Sequence, residues 1–204
     1  MANALLDSVR GPMPISIDDI FLKERKVFLI GQVNDESVNN LIKELLYLEV
    51  EDDRRPITLF INSPGGEVLS GLSAYDTIRM LKSPIIGVAM GLVASMGSVI
   101  YLGCEPENRL MLPNSKIMIH DCSWSRHEMG GKKPGEIQEE LNQLKDMNER
   151  LISIIAERTG KSVDEIAEVT CVDSYYTSDE AISFGLASRI VDSDCLNGLM
   201  KKGA

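Results

Sequence analysis

Histidine is scarce in this chain: among 204 residues only His120 and His127 carry an imidazole. Any histidine-run proton transfer near neutral pH must therefore use one of these two. Paired cysteine is missing as well. Cys104, Cys122, Cys171 and Cys195 are widely spaced and form no CxxC pair. That argues against a disulfide framework or a zinc site and points to reduced thiols in a cytoplasmic compartment. Positive charge is in deficit, with a formal net charge of −10. Nucleic acid is thereby disfavoured as the main partner, because phosphate binding needs clustered Lys and Arg. Neither GxxxxGK(S/T) nor GxGxxG occurs, so no phosphate-binding loop, cofactor or metal is expected. A long unbroken apolar run is absent too. Ile85 to Leu102 follows Pro84 and is interrupted by glycines, Ser95 and Ser98; it reads as a strand plus a buried helix, and no membrane partner is expected. Met1 to Pro14 lacks the basic and apolar regions of a secretory signal.

The residues present suit one domain with a sizeable core. Residues 1–16, with Gly11, Pro12 and Pro14, read as a flexible leader, and Ile15 to Ile20 settle onto the body. Val27 to Ile30 is a short buried-type strand closed by Gly31. Asn34-Asp35 caps a helix whose apolar face is Val38, Leu41, Ile42, Leu45 and Leu46. Arg54-Arg55-Pro56 breaks the chain before a strand over Ile57 to Ile61. After Pro64-Gly65-Gly66 a helix is expected from about Val68 to Lys82, then a strand from Ile85 to Met90 and a helix from Leu92 to Leu102. This alternation points to an α/β layer with parallel strands and crossover helices. Lys116 to Ile119 is a further strand. A long helix over about 135–158, carrying Ile137, Leu141, Leu144, Met147, Leu151, Ile154 and Ile155, ends at Thr159-Gly160. It could belong to the core or pack against another subunit. Ser162 to Glu165 and Thr177 to Glu180 are capping boxes. Ser188 to Val191 is a last strand, and residues 192–204 are a loose tail.

The chemistry converges on Gly91 to Gly97, which places Ser95 among small residues at a strand-to-helix junction. A hydroxyl becomes a nucleophile when a base takes its proton, and the base needs a carboxylate to hold its tautomer. Ser95 and His120 both stand at C-terminal ends of expected strands, the edge where α/β sheets carry their sites. A serine between small residues can equally serve helix packing. His127 lies between Arg126 and Glu128 and suits a solvated loop. Asp173 stands between thinly charged stretches and is a candidate carboxylate; Asp121 is discounted because neighbours along a strand face opposite ways. The amides of Gly66 and Met96 could converge on a developing oxyanion, although Gly65-Gly66 also suits an ordinary tight turn.

Phe60 to Gly66, Tyr75-Asp76-Thr77, Gly91 to Gly97 and Leu112 to His120, continued by Thr159-Gly160, Asp173 and Ser178 to Leu186, together resemble the ClpP peptidase family over about residues 17–191. The resemblance implies a crotonase-like α/β fold of repeated β/α turns, with a long protruding handle helix, the handle taking about 122–160. It implies a serine endopeptidase with Ser95 as nucleophile, His120 as base, Asp173 as third triad member, and Gly66 and Met96 as oxyanion-hole donors. The implied partners are unfolded polypeptides, a separate AAA+ unfoldase of the ClpX, ClpA or ClpC type, and further copies in seven-membered rings stacked in pairs, alone or mixed with another ClpP. The alternative is a catalytically weak scaffold subunit of a mixed ring. The chain departs from the family pattern in Asp121 to Arg126 after the histidine, in Cys171-Val172 before the aspartate, and in Thr58, Phe60 and Met80, of which one is aromatic.

Overall fold

The computed structural model describes residues 3–8, 11–123 and 131–200. The expectations for His127 and for Trp124 to Arg126 lie outside them.

The first described residues add a strand pair that the sequence reading does not contain. Asn3–Ser8 (β1) pairs antiparallel with Gly11–Ser16 (β2), and Ile17–Lys23 (α1) follows with the Ser16 hydroxyl accepting from the Asp18 amide. Backbone pairing of this kind needs no apolar periodicity, so the sequence pattern does not reveal it.

The body is a mixed α/β assembly around a seven-stranded sheet. Lys26–Ile30 (β3) leads through Asp35–Glu51 (α2) to Ile57–Ser63 (β4). Asn34 Oδ1 accepts from the Ser37 amide at 2.9 Å and Ser37 Oγ accepts from the Asn34 amide at 3.1 Å, closing the α2 N-terminus. The α2 face buries Val38, Leu41, Leu45 and Leu48, each contributing about 1.5–3 kcal/mol of transfer free energy. Val68–Met80 (α3) returns to Ile85–Ala94 (β5), and β3, β4 and β5 pair in parallel.

β5 is longer than the expected strand, and the following helix, Met96–Leu102 (α4), begins four residues later than expected. Gly91 takes φ 59°, and Leu92, Val93 and Ala94 beyond it pair with Lys116, Ile117 and Met118. Tertiary pairing thus captures residues that an apolar run alone leaves open to either structure. β5 pairs in its first half with Arg109–Met111 (β6) and in its second with Lys116–Ile119 (β7).

Pro134–Thr159 (α5) is the long helix, about 39 Å at 1.5 Å per residue. Its buried residues are Leu151, Ile152, Ile155, Ala156 and Arg158, all in its C-terminal part; Ile137, Leu141 and Leu144 are only partly covered. It ends on Gly160 at φ 73°, where the left-handed cap suits glycine. Arg158 and the fully buried Arg109 both donate to the carbonyls of Leu102 and Cys104, fastening this end of α5 to the C-terminus of α4.

Val163–Thr170 (α6), capped by Ser162 and Glu165, leads to Ser174–Thr177 (β8), which pairs antiparallel with β7. Ser178–Phe184 (α7), preceded by the Thr177 and Glu180 capping box, and Arg189–Ile190 (β9), parallel to β6, complete the sheet. The expected loose tail is corrected over 193–200, which form a helix (α8). Leu196, Leu199 and Cys195 pack it on a smaller core of Phe60, Val88, Leu110 and Val191.

Candidate active site

Ser95 sits between β5 and α4 with φ 53° and ψ −126°. This region is unfavourable for a residue with a Cβ, at roughly 1–3 kcal/mol, so the surroundings must impose it. They do so from several sides. The Ser95 amide donates to Met118 O at 2.9 Å. Ser98 Oγ lies 2.9 Å from Val93 O and 2.7 Å from Met118 O, tying the end of β5 to the end of β7. A Cβ on Gly65 would lie 2.5 Å from the Ser95 Cβ, and one on Gly97 would lie 3.2 Å from Ser63. The two turns close on each other only because those side chains are missing.

The sheet brings up the histidine in the same way. β7 runs parallel to the second half of β5, so His120, just past its end, emerges beside Ser95. Its Nε2 lies 2.9 Å from Ser95 Oγ. On the other side of β7 the register Ile119↔Ser174 sets Asp173 opposite His120. Its Oδ1 lies 3.0 Å from His120 Nδ1. Ser174 Oγ donates to Val169 O at 2.6 Å and the Asp121 amide to Thr170 O at 2.7 Å, holding the crossing from α6 to β8 against the histidine strand. With its proton on Nδ1, the imidazole donates to the carboxylate and accepts from the hydroxyl, as proton removal from serine requires.

The two residues whose amides were singled out from the sequence line the same cleft. Val33 donates to Gly65 O and accepts from the Glu67 amide, so in this parallel bridge the Gly66 amide is turned away from Val33. Met96 is the first residue of α4, a position whose amide has no acceptor within the helix. Gly66, Met96, Ser95 and His120 line one cavity of about 230 Å³, whose further walls include Val99 and Leu151. Larger cavities lie elsewhere, about 440 Å³ beside Lys161 and Phe184 and about 270 Å³ along β3. Neither holds a nucleophile and base in contact; chemistry, not volume, marks the smaller one.

Two residues that position the site were not singled out from the sequence. Ser98 could have been noticed as a hydroxyl one helical turn after Ser95. Asn148, whose Oδ1 accepts from the Cys122 amide at 2.9 Å, lies in the middle of a polar stretch of α5, and nothing in its sequence neighbourhood distinguishes it.

A family model for the Clp protease matches residues 11–194 of this chain, a span that takes in all the residues of this cleft.

Proposed function

The chain belongs to the Clp protease family, and on that premise we propose that it is a serine endopeptidase subunit whose nucleophile is Ser95. The family generally forms rings and works with AAA+ partners. The observation that carries the catalytic reading is the unbroken contact series from Ser95 Oγ to His120 Nε2 at 2.9 Å and from His120 Nδ1 to Asp173 Oδ1 at 3.0 Å.

In this reading Ser95 Oγ attacks the carbonyl carbon of a peptide bond while its proton passes to His120 Nε2. The carbonyl oxygen takes up negative charge and is met by the amides of Gly66 and Met96, a contribution of about 10²–10³-fold per donor. Asp173 stabilises the imidazolium. His120 then gives its proton to the leaving amine, the C–N bond breaks, and an acyl ester remains on Ser95. Water, deprotonated by His120, hydrolyses that ester and restores the serine.

Unfolded polypeptide, delivered by a separate AAA+ unfoldase, is the substrate this reading assigns, and self-association into stacked seven-membered rings, alone or with another ClpP, the assembly. Thiols left free at Cys104, Cys122, Cys171 and Cys195 suit a reducing, cytoplasmic compartment. No helix among the described residues is long and apolar enough to cross a membrane.

A fluorophosphonate probe tests the reading directly. Assembled protein is expected to gain one covalent adduct on Ser95 and the Ser95→Ala variant none. A properly assembled sample that stays unlabelled would favour the scaffold alternative. The complete contact series counts against that alternative, since loss of a triad member is the expected mark of an inactive subunit.

A further inference from the structure

β7 ends at Ile119, so His120 stands one residue past the last strand pairing, Ile119↔Ser174. Beyond that point the next two amides hold the chain. The Asp121 amide donates to Thr170 O at 2.7 Å, on the side of the aspartate segment. The Cys122 amide donates to Asn148 Oδ1 at 2.9 Å, on α5. The second tie differs in kind from the first. Its acceptor is a side chain, so one substitution removes it and leaves the backbone as it was.

Asn148 has the surroundings of a hook. It is half-buried in α5, between Met147, which packs on the core, and the exposed Glu149. Leu151 and Ile155, three and seven residues on, line the catalytic cleft together with His120 and Cys122. One face of α5 therefore carries both an apolar wall of the cleft and the acceptor that holds the segment behind the histidine. The helix itself gains nothing from the amide, since asparagine is a poorer helix former than alanine or leucine.

We propose that Asn148 is a positioning residue for His120: by holding the Cys122 amide it keeps the imidazole Nε2 within reach of Ser95 Oγ. This rests on the peptidase reading above. Only the acceptor oxygen is used, so a carboxylate in the same place serves and a methyl group does not. A loosened base impairs proton transfer and leaves peptide binding alone, so kcat falls while KM stays.

Asn148→Ala and Asn148→Asp, compared with wild type in the hydrolysis of a fluorogenic peptide, provide the test. Each is assayed at its own pH optimum, and native mass and Tm are read alongside. Asn148→Ala is expected to lose about 10–100-fold in kcat, with KM within about twofold. Its native mass should be unchanged and its Tm within about 4 °C of wild type, because the gain in helix propensity offsets part of one hydrogen bond. Asn148→Asp is expected to keep kcat within about threefold. Hydrogen exchange at the Cys122 amide should follow the same order, slow in wild type and Asn148→Asp and fast in Asn148→Ala. An unimpaired kcat in Asn148→Ala overturns the inference, as does an equal loss in both variants. A raised KM at unchanged kcat overturns it by assigning Asn148 to substrate binding. A loss that comes with disassembly or a larger fall in Tm overturns it too, since packing then accounts for the effect. Wild type labelled at Ser95 by a fluorophosphonate alongside any of these results overturns the role of Asn148 alone. Absence of that label overturns the peptidase reading and this inference with it.

Discussion

Around Ser95 the neighbours are buried: every residue of α4, Ser63 and Ala94 all lie in the interior. Around Asp173 the chain runs at the surface, with Cys171 exposed, Val172 63% exposed and the Asp173 side chain 60% exposed against 25% for His120. The nucleophile is fixed by the folding of the body itself. The carboxylate is fixed by one strand register and two hydrogen bonds at the end of α6. In a preorganised site the rigid groups need no reorganisation during reaction, so the serine end is complete in the single chain. The aspartate end is the one that surroundings can alter.

This contrast can be broken most sharply by kinetics. Ser95→Ala should lower kcat by about 10⁶-fold, whereas Asp173→Asn, acting at a solvated carboxylate, should lose about 10⁴-fold or less. Equal losses in a peptide-hydrolysis assay would mean that the aspartate is as firmly held as the serine. Next in size are the glycines. Gly65→Ala meets Ser95 at a φ of +93° and should destabilise by about 2–4 kcal/mol, while Gly31→Ala, at φ +87° with nothing within 4 Å, should lose about 1 kcal/mol. Denaturant titration of both variants measures the difference, and similar values would remove the packing argument.

Thiol chemistry probes the same two regions. Cys104, in the body, has its pKa pushed up to about 12 by burial, while Cys171 is exposed. Iodoacetamide should modify Cys171 in the folded protein and reach Cys104 only after unfolding. A Cys171 that reacts as slowly as Cys104 would show the aspartate segment to be covered in solution. The smallest effect concerns Glu105. Burial opposes its charged form, but hydrogen bonds from Arg79 and Arg158 outweigh this and hold its pKa below the usual carboxylate range. Its stabilisation is therefore present above the unfolded carboxylate pKa and lost as pH falls through the lowered folded value. The Tm of wild type should exceed that of Glu105→Gln by roughly 1–2 °C near neutral pH, a gap that closes below about pH 4. A gap that persists in acid would assign the effect to something other than this carboxylate.

The same division describes what could be read in the sequence. Helices with a continuous apolar face, such as α2 and α5, were legible because burial imposes the 3.6-residue period on their residues. So were the cap at Asn34 and the capping boxes begun by Ser162 and Thr177, which depend on local hydrogen bonds. The end of β5 was not, since Leu92 to Ala94 suit either structure and only their pairing with β7 decides. Nor was α8, whose apolar residues are few and take their place from Phe60 and Leu110, far off in the chain. Within the cleft, Ser95 and His120 were marked by their places at strand ends. Asp173 stood out only by its thinly charged surroundings, and the family resemblance gave it its role; it precedes an antiparallel strand, so the rule of parallel-sheet edges does not reach it. Asp121 was set aside as a partner of His120 on strand geometry alone. Its place in the cleft wall depends on α5 and on Thr170, which no local pattern reveals.

The left-handed backbone at Ser95 puts folding and reactivity at odds. Glycine takes that conformation without strain, and serine keeps it only because the neighbours enforce it. Ser95→Gly should therefore melt at a higher temperature than Ser95→Ala, though both lack the hydroxyl. For thermal stability alone serine is the wrong residue here, and the fold sustains it in a posture that a more durable version of the same molecule would give up.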